Sequence, residues 1–351
     1  MTWIPKPKVS HPGLPRNSKG LTHRDYEGAL STLCAGCGHD SVTSAIVHAA
    51  WDLEIEPHQV AKMSGIGCSS KTPAYFLAAS HGFNSVHGRM PSVTTGANLA
   101  HRGLFYLGVS GDGDTASIGL GQFVHAMRRR LNMLYIVENN GVYGLTKGQF
   151  SASSDTGSLN KKGEPNPYPA IDPALLAMQM GATFVAKSFS GDKEQLVPLI
   201  KAGMKHRGFA LIDVVSPCVS FNNHEGSTMS YTYMREHDEE ITAIDLVHPR
   251  DEITAQYAPG SIQDVTMHDG TTLRLRKADA TYDPTDRLRS IAYYQDHHAK
   301  GEVVTGLLYV DPKSNELHDI LGTTDTPLRE LNVKDLCPGS SILAEINQSF
   351  R

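Results

Sequence analysis

Five cysteines and one acid–amide pair supply the residue types that could do chemistry in this chain. Cys34 and Cys37 stand in "CAGCGHD", among glycines and just ahead of His39. Cys68 lies in "SGIGCSSKTP", Cys218 in "SPCVSFNN", and Cys337 near the end. An odd number of cysteines, behind an N-terminus without the apolar run of a signal peptide, argues against a disulfide framework. Reduced, metal-binding or catalytic thiols are expected instead. A zinc ribbon wants a second close pair of ligands, and the third and fourth cysteines here stand alone. A thioredoxin-like dithiol sits where a strand feeds a helix and has no use for Cys68 or Cys218. Four thiolates from separate loops can hold a [4Fe–4S] cluster. The spacing by itself leaves zinc and iron–sulfur open.

The acid–amide pair is Asp112 and Asn140, and the elements between them decide how they meet. "LFYLGVS" reads as a short buried strand running into Gly111-Asp112-Gly113-Asp114. "TASIGLGQFVHAMRRR" has helical spacing, and "MLYIVE" is a second buried strand ending in Asn139-Asn140-Gly141. Strand, helix, strand of this length is a βαβ unit with parallel strands. Both residues therefore leave the sheet at carboxyl ends on one edge, where open α/β sheets bind ligands. A carboxylate and an amide oxygen suit Mg²⁺, which completes its shell with phosphates and water. A backbone carbonyl near Val142 could add a third oxygen. Gly111, Gly113, Gly141 and Gly144 clear side chains from the path of a diphosphate. "GDGD" fits neither the dinucleotide fingerprint nor the Walker spacing, and alone it is only a turn. The pairing of both turns across one helix points to a metal–diphosphate site.

The wider sequence bounds these readings. In 351 residues, 40% are hydrophobic, 20% are charged, and the net charge is −5. That balance excludes a basic nucleic-acid binder, and Arg128-Arg129-Arg130 is too short a run to overturn it. No apolar run approaches the roughly 18 residues of a membrane helix. Reduced thiols in a chain without secretion signals make a cytoplasmic protein the expectation. Residues 1–26 read as a Pro- and Lys-rich arm. Residues 27–235 read as an α/β domain with an open, mainly parallel sheet flanked by helices. Residues 236–351 read as a C-terminal extension containing β-hairpins, packed on the domain or on a partner subunit. "SYTYMREHDEEITAIDLV" is a helix candidate at its start. "VTMHDGTTLRL" predicts a hairpin around Asp269-Gly270, and "GLLYVDPKSNELHDIL" reads similarly around its Pro/Ser/Asn turn.

"GDGD" followed by "NN" resembles the thiamine-diphosphate motif. The resemblance implies Mg²⁺ held by Asp112, Asn140 and the backbone carbonyl of Val142. In chain order, "CAGCGH", "GIGCSSKTP", "HGRMPSVTTGANLA", "SGDGD", "NNGVYGLTKGQFS" and "SPC" closely resemble the β subunit of 2-oxoacid:ferredoxin oxidoreductases. The resemblance runs from about residue 30 to the C-terminus. The tail, with "TGLLYV" and "LCPGSSILAEINQSFR", is similar to the longer β subunits of the 2-oxoglutarate type. It implies the diphosphate domain of the thiamine-diphosphate-binding fold, with one [4Fe–4S] cluster on Cys34, Cys37, Cys68 and Cys218 beside the thiazolium. Cys337 matches no ligand position. Ile66, Gly67, Cys68 and Ser69 are implied to contact the cofactor, and Gly113, Asp114, Gly144 and Leu145 its diphosphate. Lys147 is implied to face coenzyme A at the active-site mouth, and Lys71 the substrate side. His39 and His87, beside glycine-rich turns, are left between scaffold residues and proton carriers.

The reaction so implied converts 2-oxoglutarate, coenzyme A and two oxidised ferredoxins to succinyl-CoA, CO₂ and two reduced ferredoxins, reversibly. A pyruvate-specific or broad 2-oxoacid enzyme is the alternative within the family. A non-catalytic zinc-binding α/β protein is the alternative outside it, and a non-redox thiamine decarboxylase or synthase would need no cysteine cluster. The family's pyrimidine-binding domain resides on an α subunit, for which this chain leaves no room. An (αβ)₂ assembly is therefore expected, with ferredoxin as electron partner and no nucleic acid or membrane.

Overall fold

The computed structural model describes residues 12–160, 162–240, 258, 261–266, 272–277, 282–337 and 339–351. Helix α1 (Gly38–Asp52) leads to strands β1 (Val60–Ser64) and β2 (His81–Asn84), α2 (Met90–Ala100) to β3 (Phe105–Gly111), and α3 (Leu120–Arg128) to β4 (Met133–Asn139). A small ribbon, β5 (Val142–Tyr143) and β6 (Gln149–Phe150), is followed by α4 (Pro173–Met180), β7 (Phe184–Phe189), α5 (Lys193–Lys205) and β8 (Phe209–Val215). The remainder adds α6 (Tyr231–His237), β9 (Asp238–Glu240), β10 (Ile262–Thr266), β11 (Thr272–Lys277), α7 (Arg287–Ala299) and β12 (Val303–Val310). Three short helices close it: α8 (Leu317–Leu321), α9 (Val333–Leu336) and α10 (Ser340–Ser349). No described helix is long and apolar enough to cross a membrane.

The large sheet runs β10-β11-β9-β12-β7-β8-β4-β3-β1-β2, and every pair from β7 to β2 is parallel. All seven residues of β4 are buried, because helices cover both faces of this part of the sheet. Alternation sorts them. Met133, Tyr135 and Val137 pack with Phe123 and Met127 of α3 and with α4 on one face. Leu134 and Ile136 pack with Val42 and Ile46 of α1 and Leu196, Leu199 and Ile200 of α5 on the other. Aspartates start the helices where the sequence has them. Asp172 caps α4 through the amide of Leu175, Asp192 caps α5 through Gln195, and Asp286 caps α7 through Leu288 and Arg289.

The chain beyond residue 235 does not simply lie over the outside. β12 is a full strand of the same sheet, antiparallel to β7 and parallel to β9. The helix candidate at 230–247 is shorter than expected: α6 ends at His237 and the backbone turns directly into β9. The rest of that candidate lies outside the described residues, as does the Asp269-Gly270 turn, although its flanking strands β10 and β11 pair antiparallel. The reading of 306–321 as a hairpin is corrected. Only its first run is a strand, and Leu317–Leu321 is α8, started by a capping box between Glu316 and Asp319.

One buried ionic group joins this last part to the sheet. Lys187 of β7 donates to Asp172 Oδ2 at 3.0 Å and to the Tyr294 hydroxyl of α7 at 2.7 Å, and lies 3.4 Å from Asp213 Oδ2 of β8. Burial alone would lower the Lys187 pKa, but Asp172, Tyr294 and Asp213 outweigh it and hold the ammonium well above its ordinary pKa. Removing the cation leaves buried Asp213 and partly buried Asp172 without a counter-charge. Lys187→Met is expected to cost about 3–5 kcal/mol of stability. Tyr294→Phe, which removes one hydroxyl, should cost about 1–3 kcal/mol. Urea-unfolding midpoints check both, and equal midpoints for the two variants would contradict the assignment.

Candidate cofactor and metal site

The carboxyl ends of β1, β3, β4 and β8 lie side by side, and the turns leaving them carry most of the expected residues. β3 ends at Gly111, so Asp112 is the first residue out of the strand. It is fully buried. Its carboxylate accepts from the hydroxyls of Ser151 and of Ser153, the latter at 2.6 Å, and from the Asn140 amide N–H at 3.3 Å. Burial nonetheless pushes the Asp112 pKa up against those bonds. A divalent cation at this carboxylate would relieve that cost.

Asn140, just past β4, is also buried, and its Oδ1 accepts from the Val142 N–H at 3.0 Å. Gly113 opens a π-helical turn, Gly113–Ile118, that precedes α3. A Cβ there would overlap the ring of Tyr143, whose hydroxyl donates to Gly113 O at 3.1 Å. Part of the demand for glycine is thus internal packing. Asp114 turns its carboxylate inward, accepting from Ser110 Oγ at 2.9 Å, the Gly88 amide at 2.9 Å and His87 Nδ1 at 3.2 Å. It ties the turn to the loop before α2, which gives His87 a bracing contact.

The four thiols gather beside this pair. Cys37 is the N-cap of α1, and its amide donates back to Cys34 O at 3.0 Å. The next amide, of Gly38, donates to Pro217 O at 3.3 Å, which brings the Cys34–Cys37 loop against Cys218. Ser220 Oγ donates to Cys34 Sγ at 3.5 Å. Cys68 precedes the 3-10 turn Ser69–Ala74, which is held from below by buried Lys62 donating to the carbonyls of Pro73, Phe76 and Leu77 at 2.7, 2.7 and 3.0 Å. A Cβ on Gly144 would stand 3.4 Å from Cys68 Sγ and 3.6 Å from Cys218 Sγ. Burial pushes the Cys37 thiol up to about 12 and raises Cys68 and Cys218 as well. Such thiols ionise only when a positive centre compensates them.

Among the described residues, no group of His, Cys, Asp and Glu side chains is gathered tightly enough for one metal ion. A single zinc needs all four sulfurs about 2.3 Å from one point, whereas an iron–sulfur cube holds its thiolates farther apart. Cys337 is exposed at the end of α9. Ser69 is buried, and its Oγ would lie 2.7 Å from a Cβ on Gly111, so "IGCS" reaches the acid–amide pair. Leu145 and Lys147 are exposed on the turn after β5, with Lys147 at φ 81°. A lysine held in the left-handed region marks a turn whose shape is imposed by its surroundings. Lys71 is partly exposed and near enough to Cys68 to offset part of the upward shift that burial gives that thiol.

Several contributors carry no sequence signal. Ser151 and Ser153 sit in "SASSD", an ordinary polar loop until its hydroxyls are seen on Asp112. Asn222 Nδ2 donates to Asn140 O at 2.8 Å, linking the Cys218 turn to the acid–amide pair. Glu138, the strand residue before Asn139-Asn140, is wholly buried, and neither oxygen meets a donor in good geometry. Its Oε2 lies 3.6 Å from His39 Nδ1. Burial, with Asp40 nearby, raises the Glu138 pKa well above the carboxylate range.

A parallel sheet carrying an acid–amide pair and open glycine turns on its carboxyl edge is the arrangement expected of the thiamine-pyrophosphate-binding class. Residues 63–214 match the family model described as thiamine pyrophosphate enzyme, C-terminal TPP binding domain. The chain is 41% identical over 191 residues to the 2-oxoacid:ferredoxin oxidoreductase subunit beta of Saccharolobus solfataricus, covering 54% of this chain and 63% of that one. It is 37% identical over 192 residues to the 2-oxoglutarate synthase subunit KorB of Methanocaldococcus jannaschii, covering 54% and 69%. Against a solved 2-oxoglutarate:ferredoxin oxidoreductase from Magnetococcus marinus, with 2-oxoglutarate, coenzyme A and succinyl-CoA bound, the TM-score is 0.72 at 27% identity, over 93% of this chain and 96% of that one. This chain belongs to the family of 2-oxoacid:ferredoxin oxidoreductase β subunits. It spans 63% of the Saccharolobus relative's length.

Gly113→Ala is expected to displace the Tyr143 ring and weaken thiamine diphosphate binding by about tenfold or more, the worth of about 1.4 kcal/mol. Calorimetric titration in the presence of Mg²⁺ checks this, and wild-type affinity would contradict it.

Proposed function

We propose that this chain is the β subunit of an enzyme that oxidatively decarboxylates 2-oxoglutarate to succinyl-CoA and CO₂, passing two electrons singly to ferredoxin. The observation that carries it is Gly144, two residues past Val142, lying against both Cys68 and Cys218. One turn is thereby shared between a magnesium–diphosphate site and a four-cysteine site. Asp112, Asn140 and the Val142 carbonyl would hold Mg²⁺, with Ser151 and Ser153 fixing the Asp112 carboxylate. Cys34, Cys37, Cys68 and Cys218 would hold one [4Fe–4S] cluster. When bound, thiamine diphosphate supplies the electron sink for loss of CO₂, and the cluster takes the released electrons one at a time.

The chain's own residues position these groups. "IGCS" (Ile66, Gly67, Cys68, Ser69) reaches from the cluster side to the diphosphate side, so a single backbone segment fixes their separation. Gly113, Asp114, Gly144 and Leu145 border the diphosphate. Lys147 and Lys71 place positive charge at the exposed mouth, on the side suited to the carboxylates of the substrate and the phosphates of coenzyme A. The C-terminal part from residue 236 packs on the α/β domain through β12 and α7 and offers its exposed end to a partner. The relatives are named as beta subunits, which supports an α subunit as that partner, in an (αβ)₂ cytoplasmic assembly. Preference for 2-oxoglutarate rests on the relatives and the neighbour named for it. The Saccharolobus relative, named for 2-oxoacids in general, favours a broad specificity as the second reading.

The complex purified with its partner is expected to be brown, with broad absorbance near about 400 nm. Cys218→Ser should lose that colour and the iron while retaining thiamine diphosphate binding. With coenzyme A and a one-electron acceptor, 2-oxoglutarate should be oxidised faster than pyruvate. Equal rates would establish the broad reading, and a colourless active complex would defeat the electron-transfer assignment.

A further inference from the structure

His39 is completely buried in the first turn of α1, two residues after Cys37, and both of its ring nitrogens are engaged. Nδ1 lies 2.6 Å from Ser216 Oγ, two residues before Cys218. Nε2 lies 3.4 Å from Nδ2 of Asn140. The direction of each bond can be worked out. The Val142 N–H donates to Asn140 Oδ1, so the amide oxygen is on the Val142 side and the NH₂ group faces the ring. An NH₂ group only donates, so Nε2 must be the accepting nitrogen and the ring proton is on Nδ1. That proton is donated to Ser216 Oγ.

An asparagine amide is nearly symmetric in shape and its last torsion is soft, so only hydrogen-bond partners decide which end faces which way. Here one partner reads each end. The Val142 N–H occupies one lone pair of Oδ1, and the second is left for a cation. Turned over, the amide would set its oxygen against the lone pair of Nε2 and aim two N–H groups at the cation. We propose that His39 is the positioning residue that fixes the orientation of the Asn140 amide and so presents its oxygen to Mg²⁺. The assignment rests on the reading of Asn140 as a magnesium ligand. The ring also bridges the turns that carry Cys37 and Cys218, so its role must be separated from a mere brace for the thiols.

Two amide variants make that separation in the complex purified with its partner. His39→Gln places an amide where Nε2 stood, with an oxygen able to accept from Asn140. His39→Asn reaches only the Nδ1 position and keeps the bond to Ser216. The measurement is the Mg²⁺ concentration that half-saturates thiamine diphosphate binding, followed by calorimetry, with iron content determined alongside. Asn is expected to raise that concentration by about tenfold or more at unchanged iron, the loss of roughly one hydrogen bond, and Gln to stay within about threefold of wild type. Equal behaviour of Gln and Asn, or loss of iron with Asn, overturns the proposal. A wild-type complex that binds thiamine diphosphate without Mg²⁺ overturns the metal reading and this one with it. A Mg²⁺-dependent wild type with an indifferent Asn variant overturns this one alone.

Discussion

The register of three parallel strands governs everything at the carboxyl edge. Gly111 of β3 stands opposite Glu138 of β4, and Asn139 of β4 opposite Val215 of β8. Because these ends are flush, Asp112, Asn140 and Ser216 leave the sheet within a residue of one another. That register is set by hydrophobic sorting far from any ligand. A slip of one residue would send Tyr135 and Val137 to the face of α1 and α5, and Leu134 and Ile136 to that of α3 and α4. The same slip would carry Asn140 away from Asp112. Core packing and ligand geometry are therefore one constraint.

The two ends of the sheet's interior treat charge differently. At Lys187 the protein supplies both signs itself, so the group is complete within the chain. At the carboxyl edge, Asp112 and Glu138 are buried acids and Cys37, Cys68 and Cys218 are half-buried thiols, while buried Lys62 beneath the Cys68 turn donates to the carbonyls of Pro73, Phe76 and Leu77 and to none of these groups. Burying acidic groups without cations is costly. An edge so rich in lone pairs is suited to metal charge brought from outside.

The strand–helix–strand run from 104 to 139 is legible because its apolar runs are short, bounded by glycines, and separated by one amphipathic helix. The four cysteines are legible as candidates, but their convergence is a property of topology. Cys34 and Cys218 meet through a bond between Ser220 and Cys34 across 186 positions, which no local spacing encodes. His39 is undecided in sequence for the same reason, since Ser216 lies 177 positions away. Ser151 and Ser153 are invisible because a serine loop obeys no spacing rule. Leu317–Leu321 misleads because five residues are too few to show a period. Its helix is decided by Glu316 and Asp319 at the cap. Near 238 the reading fails where tertiary pairing wins, as β9 is drawn into the sheet between β11 and β12 instead of continuing α6.

β12 has a consequence for how the chain is made. Its partner, β7, is complete at Phe189, yet the strand that covers β7's outer edge is not synthesised until residue 310. For more than a hundred residues of elongation, β7 carries a bare row of amides and carbonyls, the feature through which nascent chains pair with one another. A contact so distant in sequence also closes slowly. Until it closes, Lys187 lacks the hydroxyl of Tyr294. Translation from residue 190 to residue 310 is thus a window of aggregation risk, which early capture by another subunit would shorten.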